Sequence, residues 1–300
     1  MSNNPDVLTL RALLGDYPNT ASLRQGAIRS PRFNLDFADV KVPNHAFKRV
    51  VRDLEFDVAE LAIATYLTAK AHGKPLVLLP VVVRGKFQHE SIVYNAERGQ
   101  LAPSDLAGRR VGIRSHSVTT VTWVRGILQN DYGVDLDRVK WVTFEDAHVA
   151  EVRDPDAFER APAGKDPMTM LLEGELDAAV LTGKDLKNPK FKSLIPDPDA
   201  AARAWYQRYH AVPINHMVTV RESLLKSSPW VAEEIFRLLA ESKKAAGLPA
   251  GTGPDPFPLG VEANRKSLEL VIKYAAQQRL IPRAFAVDEL FNDVTRAVGR

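Results

Sequence analysis

The run Leu76-Val77-Leu78-Leu79-Pro80-Val81-Val82-Val83 is the most apolar stretch of the chain and limits the folds open to it. It is short, rich in β-branched residues and free of charge. Such a run suits a strand buried on both faces. The segments around it alternate in type. Val7–Leu14 and Phe33–Phe37 read as strands, and Ala46–Leu54 as a short basic helix. Phe56–Leu61 is a strand that runs into a helix over about Ala62–His72, with Gly73-Lys74-Pro75 as its stop. Strand next to helix, repeated, predicts an α/β fold.

Residues 102–184 form an α/β unit of their own in this reading. Leu106–Ile113 is a turn feeding a strand, and Ser117–Gln129 a helix with Ser117 as N-cap. Val139–Phe144 is a strand, Pro167–Glu173 a helix closed by Gly174, and Leu176–Leu181 a further strand. The Pro-, Asp- and Arg-rich stretch Glu151–Lys165 reads as a surface loop. Ala211–Val220 is one extended segment; helices follow at about Trp230–Ala246, Glu262–Gln278 and Val287–Ala297. The Pro-rich Gly247–Gly260 between the first two must be a loop. The order implies two α/β lobes, one split (1–88 plus 214–300) and one inserted (89–213). A ligand cleft is expected between them, at strand C-termini, helix N-termini and the crossing segments.

Composition removes several function classes. With 40 Lys+Arg against 37 Asp+Glu, the net charge of +3 over 300 residues is too small to argue for a nucleic-acid partner. The absence of cysteine excludes disulfides, thiolate nucleophiles, iron–sulfur clusters and Cys-ligated zinc. No basic segment precedes a long apolar run, so no secretory signal is visible and a cytoplasmic protein is expected. No stretch is long and apolar enough to span a membrane. No P-loop, G-x-G-x-x-G or G-x-S-x-G is present.

The seven histidines show no metal-motif spacing, and no metal is expected. His210 and His216, on one extended segment, would stand about 20 Å apart. His89 and His216 stand out because each lies on a predicted crossing between lobes. His72 has the simpler role of a helix C-terminal residue. Arg114-Ser115-His116-Ser117 follows a predicted strand and opens a helix. With Thr119 and Thr120 it can form an anion site, or Ser117 can simply cap. Arg84 and Lys86 end the apolar strand with positive charge, which suits a carboxylate ligand. Tyr17, Asn19 and Thr20, in the loop after the first strand, can line the same mouth. Glu60 is either a buried acid partner or a helix-start carboxylate, and the second reading is the simpler.

Five segments taken in order resemble one family. They are Glu55-Phe56-Asp57-Val58-Ala59-Glu60-Leu61; Leu79-Pro80-Val81 followed by Phe87-Gln88-His89-Glu90-Ser91-Ile92-Val93-Tyr94-Asn95; Leu106-Ala107-Gly108-Arg109-Arg110-Val111-Gly112 running to Trp123-Val124-Arg125-Gly126; Gly174-Glu175-Leu176-Asp177-Ala178; and Pro213-Ile214-Asn215-His216. The chain resembles the 4,5-dihydroxyphthalate decarboxylase family, whose members share the two-lobed fold of type II periplasmic solute-binding proteins. The Phe-x-His and Pro-Ile-x-His elements are the most specific part of that likeness. The resemblance implies mixed sheets flanked by helices, and non-oxidative loss of CO2 from a hydroxylated aromatic acid. It implies no cofactor, a small aromatic carboxylate as partner, no membrane or nucleic acid, and leaves homo-oligomer formation open. His89 or His216 would then deliver the proton while the other polarises a phenol. Arg84, Arg114, Ser115, His116, Ser117, Thr119 and Thr120 would hold carboxylates, with Tyr17 and Glu60 beside them. A non-catalytic binder of the same fold, for an aromatic or other small carboxylate, is the alternative.

Overall fold

The computed structural model describes residues 7–299; the polar opening Met1–Asp6 lies outside them. In chain order the elements are β1 (Leu8–Leu13), α1 (Pro18–Arg24), β2 (Phe33–Phe37), β3 (Val58–Ala62), α2 (Ile63–Ala71) and β4 (Leu76–Gly85). Then come β5 (Ile92–Asn95), β6 (Arg110–Ile113), α3 (Thr119–Asp131), β7 (Lys140–Thr143), β8 (Glu159–Arg160), α4 (Pro167–Glu173), β9 (Ala178–Val180), β10 (Phe191–Ser193) and α5 (Pro198–Tyr209). The chain closes with β11 (Ile214–Arg221), α6 (Glu222–Ser227), α7 (Trp230–Ala245), α8 (Val261–Gln277) and α9 (Asp293–Ala297).

Two compact units result. The first takes residues up to Lys86, Ile214–Glu269 and the chain from Phe285; the second takes Phe87–Pro213 and Leu270–Ala284. The first holds a five-stranded sheet in the order β2-β1-β3-β11-β4. β1 runs parallel to β2 and β3, and β11 antiparallel to both β3 and β4. The second holds a six-stranded sheet in the order β10-β5-β9-β6-β7-β8, antiparallel at the β5 end and parallel from β9 to β8. Both sheets are therefore mixed and flanked by helices, as the α/β reading requires.

The apolar run in β4 is buried from Leu76 to Val83. It packs with Leu10, Val58, Val218 and the inner face of α7 (Val231, Ile235, Leu238) in one core cluster. β4 is an edge strand, which is where Pro80 is tolerated. Its outer edge is closed by the Pro-rich loop: Gly260 N–H donates to Pro80 O at 2.8 Å and Val82 N–H to Pro258 O at 3.3 Å. In the second unit, α4 ends at Gly174 with φ of 80°, the left-handed cap that glycine adopts without strain.

Several local expectations are corrected. The helix expected over Ala46–Leu54 is a 3₁₀ turn (Pro43–Ala46) and a single π turn (Arg49–Asp53), stopped by Leu54 at φ 50°. The adjacent β-branched Val50 and Val51, both buried, favour such irregular packing over a regular helix. The single helix expected over Val287–Ala297 is split. Asn292 is extended, and its side chain caps α9 by accepting from Thr295 N at 2.9 Å. The loop expected over Glu151–Lys165 contains the short edge strand β8. His210 is the left-handed C-cap of α5, outside the extended segment, so the spacing argument from His210 to His216 falls away. His72 is the C-cap of α2, the role the sequence suggests.

Candidate active site

In the first unit the sheet register assembles a group of polar side chains. Val218 on β11 pairs with Glu60 on β3, so His216, two residues away, projects from the same face. His216 is also paired with Arg84 of β4, and the β11–β4 register shifts on both sides of it. Such bulges re-aim a side chain within a ladder. Tyr17 is the N-cap of α1, just beyond β1, and its backbone N–H donates to Thr20 Oγ1 at 3.0 Å. The loop expected to carry Tyr17, Asn19 and Thr20 is thus the start of a helix, with Pro18 at its first position.

Glu60 is the hub. It sits inside β3, fully buried, and is not the helix-start carboxylate that the simpler reading expected. Its Oε1 lies 2.7 Å from His216 Nδ1 and accepts from the Tyr17 hydroxyl at 2.8 Å. Its Oε2 accepts from Gly15 N–H. A carboxylate offers only acceptors, so these contacts put the proton of a neutral His216 on Nδ1 and leave Nε2 free. The His216 side chain keeps 12% of its surface exposed while that of Glu60 keeps 0%, so solutes can reach the imidazole but not the acid that orients it. Phe47 fixes the ring from the edge, with centroids 5.1 Å apart.

Burial and the Glu60 charge push the Tyr17 hydroxyl above its ordinary range. Tyr17 therefore stays a neutral donor at physiological pH. The exposed Arg84 guanidinium lies 5.3 Å from the Tyr17 ring centroid. Four sequence-singled residues, Tyr17, Glu60, Arg84 and His216, thus come together.

The second unit places its candidates differently. His89 is 2% exposed, opens a short 3₁₀ turn, and packs by ring contacts against Phe87 and Trp205 with centroids 6.3 and 6.1 Å away. Its Nδ1 is buried without a partner, and burial pushes its pKa down to about 4. His116 is also buried; Nε2 lies 3.2 Å from Gln278 O and Nδ1 has no partner. Burial, then the Arg125 charge, lower its pKa to about 3.

Ser117 is not the cap of α3. The N-cap is Val118, and no side chain caps the helix. Arg114 and Thr120 line a cavity of about 310 Å³ beside this first turn. Ser115, Ser117 and Thr119 are buried nearby in sequence. The cations at this cavity are engaged: Arg114 lies 3.3 Å from Glu145, and Lys165 pairs with Glu173 and Glu175 at 2.9 and 2.6 Å. Glu145, Asp166 and Asp185 also line it. The positive charge of Arg114 is thus balanced at this cavity by acids on other loops, which the local sequence does not reveal.

Sequence reasoning missed the Gly15 N–H and the Phe47 ring. Gly15 two residues before Tyr17-Pro18 was a usable signal for a tight backbone approach. Nothing local marked Phe47. Among the described residues no cluster of potential metal ligands occurs, and no helix is long and apolar enough to cross a membrane.

The fold is that of a two-unit α/β protein of the periplasmic-binding-protein type. The periplasmic aliphatic sulphonate binding protein SsuA of Escherichia coli superposes with a TM-score of 0.62 at 14% identity, covering 95% of this chain and 97% of that one. No model of a known protein family matches the sequence. Sequence similarity goes further. A 4,5-dihydroxyphthalate decarboxylase of Comamonas testosteroni is 30% identical over 251 residues, covering 80% of this chain and 76% of its own. Another, of Pseudomonas putida, is 29% identical over 212 residues, with 67% and 82% covered. The chain belongs to the 4,5-dihydroxyphthalate decarboxylase family.

Proposed function

We propose that this chain is a carboxy-lyase that removes CO2 without oxidation from a hydroxylated aromatic acid, with 4,5-dihydroxyphthalate going to protocatechuate as the favoured case. The observation that carries the proposal is the buried Glu60 carboxylate 2.7 Å from the Nδ1 of a partly exposed His216. Family membership supports the same chemistry.

The reaction needs a proton on the ring carbon that bears the leaving carboxylate. A para hydroxyl supplies electron density as that proton arrives. The C–C bond then breaks, its electron pair restores the aromatic ring, and CO2 departs. One proton is consumed and no electron acceptor is required, so the step is redox-neutral. His216, protonated at Nε2 and held by Glu60, is the proposed acid. Glu60 is a positioning residue, and Tyr17 holds Glu60 in place. Arg84 offers a guanidinium to a substrate carboxylate.

His89 is neutral at pH 7, which suits hydrogen bonding to a phenol better than proton delivery. Arg114, Ser115, His116, Ser117, Thr119 and Thr120 complete the proposed substrate-binding set. The proposed setting is the cytoplasm, and self-association is left to measurement. The test is incubation with a panel of hydroxylated benzoates and phthalates, followed by mass spectrometry. Loss of the mass of CO2 in the wild type, absent in H216Q, supports the reading. A ligand recovered unchanged from every incubation overturns it in favour of a carboxylate-binding protein.

A further inference from the structure

Arg125 sits in the middle of α3 with 4% of its surface exposed. Its Nε and Nη1 are buried without a partner, and no carboxylate among the described residues forms an ion pair with it. Instead the guanidinium lies over the rings of Trp141 and Phe158, 4.8 and 5.2 Å from their centroids. Burial lowers its pKa to about 9, and the Asp137 charge only partly opposes this. At neutral pH it is still a cation. A buried cation without a counter-ion is costly to keep, and a bound anion would offset that cost beyond what the two rings supply.

A cavity of about 490 Å³ opens on this group, lined by Arg125, Gln129, Trp141, Phe158 and Gln278 among others. That volume falls in the range of small-molecule sites. Two further groups in its wall are incomplete: Gln129 Oε1 and Gln278 Oε1 are buried acceptors with no donor. The Gln278 amide cannot simply turn round, because its Nε2 donates to Thr122 O at 2.8 Å. The acids on the rim are already engaged. Asp137 pairs with Arg279 at 3.2 Å, and Asp135 accepts from Asp137 N–H at 3.1 Å. Arg138 and Lys140, also on the rim, form no ion pair among the described residues. The cavity shares no lining residue with the one beside Arg114. Arg125 is five residues along α3 from Thr120, about 8 Å at the helical rise.

We propose that this cavity, whose lining includes neither proposed catalytic histidine although His116 backs its Phe158 and Gln278 walls, is a second binding site for a small aromatic acid that carries a hydroxyl group. The carboxylate meets Arg125, the hydroxyl donates to Gln129 or Gln278, and the ring packs against Trp141 and Phe158. The site stands on these unpartnered groups and does not depend on the reaction proposed above.

The experiment is a ¹H–¹⁵N titration of the whole protein with 4-hydroxybenzoate, read at the Trp141 indole. That N–H donates to Leu136 O at 3.0 Å inside the same wall, and its signal is assigned by its loss in W141F. The Trp141 signal should move saturably. Benzoate, which lacks the donor, should bind several-fold more weakly, and R125M should weaken 4-hydroxybenzoate by about tenfold or more. Should R125M fail to fold, Q129L serves, with a smaller loss expected. A Trp141 signal that stays still overturns the proposal. So does a shift of unchanged affinity in a folded variant. So does an equal response to inorganic phosphate, which marks a bare anion site.

Discussion

The two units treat their histidines in opposite ways. In the first, His216 has its Nδ1 against a buried carboxylate that also accepts from Tyr17 and Gly15. In the second, His89 and His116 each bury an Nδ1 that meets nothing, and desolvation holds both rings neutral. An imidazole wired to a carboxylate can take up and hand on a proton. A dry one is a fixed neutral dipole, and charging it costs stability. Counting histidines near predicted crossings does not separate these cases; the partner of Nδ1 does.

The sharpest way to break that contrast is catalytic. H216Q should lower kcat for CO2 release by about 10²–10⁴-fold, the usual contribution of a general acid. E60Q should lower kcat less, by about tenfold or more, with KM nearly unchanged, since it acts through His216. Equal, small effects from H216Q and H89Q would erase the difference between the two rings.

Acid titration comes next. The folded-state values of His89 and His116, about 4 and about 3, lie below the unfolded value near 6.5. Between those limits the unfolded chain binds more protons, so stability falls as pH drops. Urea unfolding at pH 7 and pH 4.5 should show a loss of about 2–3 kcal/mol for each ring. H89L should lose less on acidification than the wild type. An acid loss in H89L and in H116L as large as that of the wild type would mean the burial account is wrong.

Packing offers a third contrast. Gly126 on α3 faces the Tyr274 ring of α8 so closely that an added Cβ would fall on it. G126A should cost about 1–3 kcal/mol in chemical denaturation. The smallest effect belongs to Arg84, which is exposed and lies 5.3 Å from the Tyr17 ring centroid. R84A should raise KM for a dicarboxylate by up to about tenfold and leave kcat largely intact. A collapse of kcat would instead place Arg84 in the chemical step.

Much of the fold is legible from periodicity. The β4 run, the Pro167–Glu173 helix with its Gly174 stop and the long amphipathic α7 all carry unambiguous local patterns. What escapes is punctuation with two meanings. Tyr17-Pro18 reads equally well as a turn and as a helix start, so α1 was hidden. Asp197-Pro198 hid the cap of α5 in the same way. Glu60 was ambiguous because apolar residues continue through Leu61 and Ala62 into α2, which blurs where the strand ends. Its burial depends on β11, more than 150 residues further along the chain. The pairing of Arg114 with Glu145 is likewise a tertiary fact, since the two charges follow different strands.

The strand bulge around His216 has an evolutionary corollary. Glu60 and His216 are held by ladder hydrogen bonds of neighbouring strands, so their spacing is inherited with the backbone of the sheet. Loops beyond the strand ends can then lengthen, shorten or swap residues without disturbing the spacing of the pair. Residue changes in those loops leave the sheet register intact, while an insertion inside β11 would shift His216 out of line with Glu60.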